Sequence, residues 1–117
     1  FSGRGAEDHG GLDIKGNTGD PVRATANGRV SFAGVQGGYG NVVRLVHGNG
    51  YETVFGHLSR INVKTGQTIR AGDVLGLVGS TGRSTGPHLH YEVLRGGERL
   101  NPEQFLSLNA PLVAAGD

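Results

Sequence analysis

Glycine constrains this chain more than any other residue type: 23 of its 117 positions are Gly, scattered between short β-branched runs instead of gathered into a linker. Gly accepts the positive φ that tight turns demand, so glycine at such intervals cuts a chain into short strands. The pattern predicts an all-β domain with many tight, glycine-rich turns. Strand-like runs fall at 21–26, 29–35, 41–47, 51–58, 67–70, 74–78 and 88–94. Asn27-Gly28 reads as a type I′ hairpin turn between the first two. Gly48-Asn49-Gly50 turns the chain into Tyr51, and Ala71-Gly72-Asp73 turns it into Val74. In the last run Leu89, Tyr91 and Val93 share one face. Gly79 to Pro87 (GSTGRSTGP) is a loop by composition. One short C-terminal helix is expected from Asn101-Pro102-Glu103-Gln104, an Asn N-cap with Pro at the first helical position, running to about Leu108. The expected layout is one domain over 1–108 and a tail over 109–117.

Charge and composition exclude several classes. Eleven Lys and Arg stand against ten Asp and Glu, for a net charge of +1. There is no basic run and no interleaving of aromatic and basic residues, so nucleic acid is not an expected partner. No stretch is apolar for long enough to form a transmembrane segment. The chain begins at Phe1, not Met, so the lack of a signal peptide says nothing about export. Cysteine is absent, which leaves His, Asp and Glu as the residues able to build a metal site. The domain is expected to be monomeric.

Five histidines carry the chemical signal: His9, His47, His57, His88 and His90. Residues two apart on a strand project from one face, so His88 and His90 can share a site. One imidazole can bind a metal while the other reaches its bound water or the substrate; alone, the pair could equally lie on a solvated face. His9 and Asp13, in HGGLD, can close around one cation because Gly10 and Gly11 permit a tight bend; the plainer reading is a surface His beside a turn Asp. Together His9, Asp13 and one histidine of the HLH pair give three protein ligands. Three ligands leave the fourth tetrahedral position of a zinc ion for water, as in catalytic sites. His57 ends the run Tyr51-Glu-Thr-Val-Phe-Gly-His, and His47 shares parity with Val43 and Leu45 as an ordinary half-buried histidine. Glu92 lies on the face of His88 and His90, where it either orients an imidazole or sits in solvent.

These pieces resemble the lysostaphin-like M23 metallopeptidases, also called LytM domains. The matching stretches are HGGLD at 9–13, GDPVRATANGRV at 19–30, GYGNVVRLVHGNGYETVFGHLS at 38–59 and VKTGQTIRAGDVLGLVGSTGRSTGPHLHYEV at 63–93. They cover the chain from about His9 to about Phe105. The resemblance implies a compact antiparallel β-sandwich as the fold and Zn2+ as cofactor, held by His9, Asp13 and His90, with His57 and His88 as the catalytic pair handling water and the tetrahedral intermediate. It also implies a zinc endopeptidase acting on peptide bonds of peptidoglycan stems or cross-bridges, exported to the periplasm or the extracellular cell-wall space. The stretch FSGRGAED ahead of His9 is shorter than the family's loop and lacks an aromatic that some members place near the metal. The substrate-side wall of the groove is therefore left open.

Two rival readings belong to other classes. LytM-like domains that have lost ligands act as non-catalytic activators of peptidoglycan amidases; all five family positions are present here, which favours catalysis. The stretch TGQTIRAGDVLGLV also has the turn-rich character of biotinyl- and lipoyl-type carrier modules. Those present a lysine at a hairpin tip, and neither Lys15 nor Lys64 stands at a matching turn.

Overall fold

A computed structural model of the chain describes residues 11–102. Within them nine strands form one antiparallel network: β1 (Leu12–Lys15), β2 (Pro21–Arg23), β3 (Gly28–Val35), β4 (Asn41–Val46), β5 (Tyr51–Ile61), β6 (Thr68–Ile69), β7 (Val74–Val78), β8 (His88–Arg95) and β9 (Glu98–Leu100). The main path runs β1-β8-β5-β4-β3-β6, with β9 beside β8 and the β2–β7 ribbon attached to β5. The all-β expectation holds. The C-terminal helix and the tail at 109–117 fall outside the described residues, which end at Pro102.

Alternation assigns the two faces of the main strands. Val43 and Leu45 on β4 stand opposite Phe55 and Thr53 on β5. Those two in turn face Tyr91 and Val93 on β8. All six are buried, and Leu89 joins them. β2, β6 and β7 add Val22, Ile69, Leu75 and Val78 to the same cluster, so the short strands close the core from the other side. This is the sandwich that the family resemblance implies, and the all-β domain that the glycine spacing implies. The Tyr91 hydroxyl, buried with its ring, shares a hydrogen bond of 2.9 Å with Thr25 Oγ1. Burial pushes its pKa up to about 12, so it stays a neutral phenol.

One predicted turn is corrected. Asn27-Gly28 does not close a hairpin, because β2 pairs with β7 while β3 pairs with β4 and β6. The glycine serves close approach instead of positive φ: a Cβ on Gly28 would stand 2.4 Å from the Val46 carbonyl and 2.8 Å from His47 Nδ1. The His47 ring lies against this backbone, donating from Nδ1 to the Asn27 carbonyl at 2.6 Å and accepting at Nε2 from Thr53 Oγ1 at 2.8 Å. His47 is thus the structural histidine that its parity indicated.

Candidate functional site

The opposite face of the same strands carries a different set of residues. β1 pairs with β8 so that Asp13 stands directly opposite His90. Because β8 alternates, His88, His90 and Glu92 project from the face that Leu89, Tyr91 and Val93 leave. Asp13 Oδ1 lies 3.1 Å from His90 Nδ1 and 3.3 Å from His88 Nε2. The HLH pair and Asp13, separated by more than seventy residues of chain, therefore meet at one carboxylate oxygen.

His57 reaches this face by a local irregularity. Strict alternation would turn it toward the core with Thr53 and Phe55. Between the pairs Val43↔Phe55 and Asn41↔Leu58, however, β5 advances three positions while β4 advances two. One extra residue is a β-bulge, which bends the strand and re-aims a side chain. His57 has φ 63°, unusual for a residue with a Cβ. Its ring lies 4.9 Å from that of His88 and 5.8 Å from that of His90, centroid to centroid. Immediately past the bulge β5 leaves β8, its last partner there being His90 against Gly56, and pairs with β7 from Leu58 onward.

Hydrogen bonds fix the orientation of each imidazole. A carbonyl can only accept, so His57 donates from Nδ1 to Thr81 O at 2.7 Å. His88 likewise donates from Nδ1 to Gly86 O at 3.0 Å, with Ser84 Oγ at 3.2 Å. In a neutral His57 ring this makes Nε2 the basic nitrogen, while His88 turns its Nε2 toward Asp13 Oδ1 at 3.3 Å. Burial lowers the pKa of His57; its bond to Thr81 opposes that shift, and the neighbouring His88 and His90 reinforce it.

His90 differs from both. It donates from Nε2 to Glu92 Oε2 at 2.7 Å, leaving Nδ1 facing Asp13 Oδ1. A nitrogen lone pair and a carboxylate oxygen 3.1 Å apart repel unless something positive lies between them. Without a metal that something is a proton. Burial works against the imidazolium, but the bonds and charges of Glu92 and Asp13 outweigh it and hold the His90 pKa above its ordinary value. Glu92 is only 4% exposed and collects three donors: His90, the Tyr39 hydroxyl at 2.9 and 3.1 Å, and Arg99 Nε at 3.4 Å. Burial alone would raise its pKa; the bond and charge of His90, then Tyr39 and Arg99, bring it below the usual value. The open alternative for Glu92 is thereby decided: it orients an imidazole.

This donor set suits a hard or borderline divalent cation. Asp13 offers oxygen, His90 offers a nitrogen whose ring is held from behind by a carboxylate, and that arrangement is common behind metal-binding histidines. Among the described residues no group of three or more His, Asp or Glu side chains is arranged to hold a metal by itself. His9, the third of the expected set, lies outside residues 11–102.

Tyr39 was not singled out in the sequence. It ends a 3-10 turn, Gly37–Tyr39, and its ring centroid lies 5.7 Å from that of His90. Gly56 lies beneath it, where a Cβ would approach Tyr39 Cδ1 to 3.2 Å. The guanidinium of Arg44 stacks over the ring at 5.3 Å. The only sequence signal was an aromatic flanked by glycines in Gly37-Gly38-Tyr39-Gly40.

An antiparallel β-sandwich here brings two histidines and an aspartate together beside a bulge-borne histidine. Residues 7–102 match Peptidase family M23, and the chain belongs to that family. It is 52% identical over 94 residues to the DD-carboxypeptidase/endopeptidase Mpg of Neisseria meningitidis serogroup B, covering 80% of this chain and 22% of that protein. It is 40% identical over 107 residues to the peptidoglycan DD-endopeptidase ShyA of Vibrio cholerae, covering 92% and 24%. The chain thus spans less than a quarter of these relatives' length. Among solved structures, the catalytic domain of the antimicrobial peptidase lysostaphin from Staphylococcus simulans superposes with a TM-score of 0.81 at 37% identity, covering 85% of this chain and 79% of that one. A zinc-containing peptidase from Vibrio cholerae gives a TM-score of 0.75 at 39% identity, covering 79% and 28%.

Proposed function

We propose that the chain is a zinc-dependent endopeptidase that hydrolyses peptide bonds in peptidoglycan stems or cross-bridges. The observation that carries this reading is the meeting of His88 and His90 on Asp13 Oδ1, with the His57 ring 4.9 Å from that of His88. Relatives named as a peptidoglycan DD-endopeptidase and a zinc-containing peptidase support the substrate and the metal. In this reading Asp13, His90 and His9 hold zinc. Bound there, zinc would supply Lewis acidity toward a carbonyl and make water a better nucleophile near neutral pH.

The chain's own residues then do the rest. His57 and His88 keep Nε2 basic by donating Nδ1–H to backbone carbonyls. The lowered pKa of His57 keeps its ring neutral and ready to accept a proton from the attacking water. One of the pair takes that proton at Nε2, and the other, carrying at Nε2 a proton taken up from solvent, donates a hydrogen bond to the developing oxyanion. Glu92 holds His90 by Nε2 so that Nδ1 keeps its aim. The face that carries His57, His88 and His90, with the loop at 79–87 beside it, receives an extended peptide. Peptidoglycan lies outside the cytoplasm, so this reading implies an exported protein.

The test is a digest of purified sacculi by metal-stripped and zinc-restored chain, with products identified by mass spectrometry. Cleavage should vanish on stripping and return with zinc. Full hydrolysis by a preparation shown to be metal-free would refute the zinc scheme. A zinc-loaded chain that binds sacculi, cuts nothing and stimulates an amidase would instead establish the activator reading.

A further inference from the structure

The bulge that aims His57 is held by a residue whose side chain the mechanism does not use. Thr81, in the glycine-rich loop, makes three bonds to two other parts of the chain. Its hydroxyl donates to the Leu58 carbonyl at 2.7 Å and accepts from the Asn41 amide at 3.1 Å. Its own carbonyl receives His57 Nδ1–H at 2.7 Å. Leu58 directly follows the bulged histidine, and Asn41 follows the turn that carries Tyr39.

The backbone around this point is packed too closely for side chains. A Cβ on Gly40 would lie 2.5 Å from Gly82 N, and one on Gly82 would lie 2.5 Å from Gly38 O. Arg83 N–H donates to Gly38 O at 2.9 Å, and Asn41 Nδ2 donates to Leu58 O at 3.0 Å. The Tyr39 turn, the β5 bulge and the 79–87 loop therefore form one cross-linked unit, with the Thr81 hydroxyl at its centre. A regular strand needs no such support, whereas a non-glycine residue at φ 63° persists only where its surroundings hold it there.

We propose that Thr81 is a positioning residue for His57: its hydroxyl pins the loop so that its carbonyl fixes the Nδ1–H tautomer and the aim of that imidazole. The inference rests on the reading of His57 as a proton-handling group only for its effect on rate. Its effect on the ring is independent of that reading.

Two measurements on the zinc-loaded chain test it, using Thr81→Val, which keeps the shape and removes the hydroxyl, and Thr81→Ser, which restores it. By nitrogen-15 NMR of the histidine rings, His57 in the unaltered chain should be the Nδ1–H tautomer. Thr81→Val should mix the two tautomers and Thr81→Ser should recover one. On cross-linked muropeptides, Thr81→Val should lose on the order of 10- to 100-fold in kcat, with KM and zinc affinity within about twofold, and Thr81→Ser should regain most of the rate. A folded Thr81→Val with the same tautomer and the same kcat overturns the proposal. So does a Thr81→Val that will not fold at any temperature, because the hydroxyl would then serve folding alone. If the unaltered chain cleaves nothing, the peptidase reading fails, and the tautomer comparison still decides the role of Thr81.

Discussion

The two faces of the β1-β8-β5-β4 strands are built from alternate residues of the same few segments, yet they obey opposite rules. One face presents Leu89, Tyr91, Val93, Phe55 and Val43, all fully buried, and its single buried phenol has its partner in Thr25. The other presents Asp13, His88, His90 and Glu92, with Tyr39 and Arg99 holding Glu92 and with two ring nitrogens and a carboxylate oxygen at close quarters. Apolar packing has no direction, so the core face tolerates any arrangement that fills space. The polar face is specific to the ångström, since each imidazole is oriented by one particular acceptor. Stability and chemistry are thereby separated across the thickness of one sheet.

That separation can be broken deliberately. The largest effect should come from His88→Ala, which leaves the core intact. The rate on cross-linked muropeptides should fall on the order of 10²–10⁴-fold, while bound zinc and the urea midpoint hold. Loss of stoichiometric zinc in that variant would mean that the ligand and catalytic assignments are exchanged. Next, Phe55→Ala removes a ring packed 5.3 Å from that of Tyr91 on the core face. Urea unfolding should show a loss of about 3–5 kcal/mol, and the surviving folded fraction should keep its turnover. A collapse of turnover per folded molecule would show that the faces are coupled. The smallest effect should follow Glu92→Gln, which retains shape but weakens the hold on His90 Nε2. Competition titration should find zinc bound roughly 10- to 100-fold less tightly, and unchanged affinity would reduce Glu92 to a buried acceptor for Tyr39 and Arg99.

Much of this was legible in the sequence because strands obey a period of two. That period put His88 and His90 on one face and Leu89, Tyr91 and Val93 on the other. The glycine turns located β3, β4, β5, β7 and β8 to within a few residues. Strands β1 and β9 went unread: Leu12–Lys15 and Glu98–Leu100 are too short to show a pattern, and each exists by pairing with β8. Asn27-Gly28 misled because its glycine answers a steric demand from His47, a residue nineteen positions away from Gly28. His57 shows the clearest limit. Counting by twos places it with Phe55 in the core, and only the family resemblance assigned it to the site, since an extra residue in β5 is visible only against its partner β4. Tyr39 and Thr81 stand in glycine-rich loops, where side-chain direction follows from distant backbone and leaves no local trace.

The inserted residue in β5 also makes this strand intolerant of miscounting. Dropping a single position between Phe55 and Leu58 would restore an unbroken ladder against β4, a gain by any local criterion, and would in the same stroke point the histidine into oil. Length variation in relatives should therefore collect in the turns, and the stretch from Phe55 to Leu58 should keep its number of residues even where their identities drift.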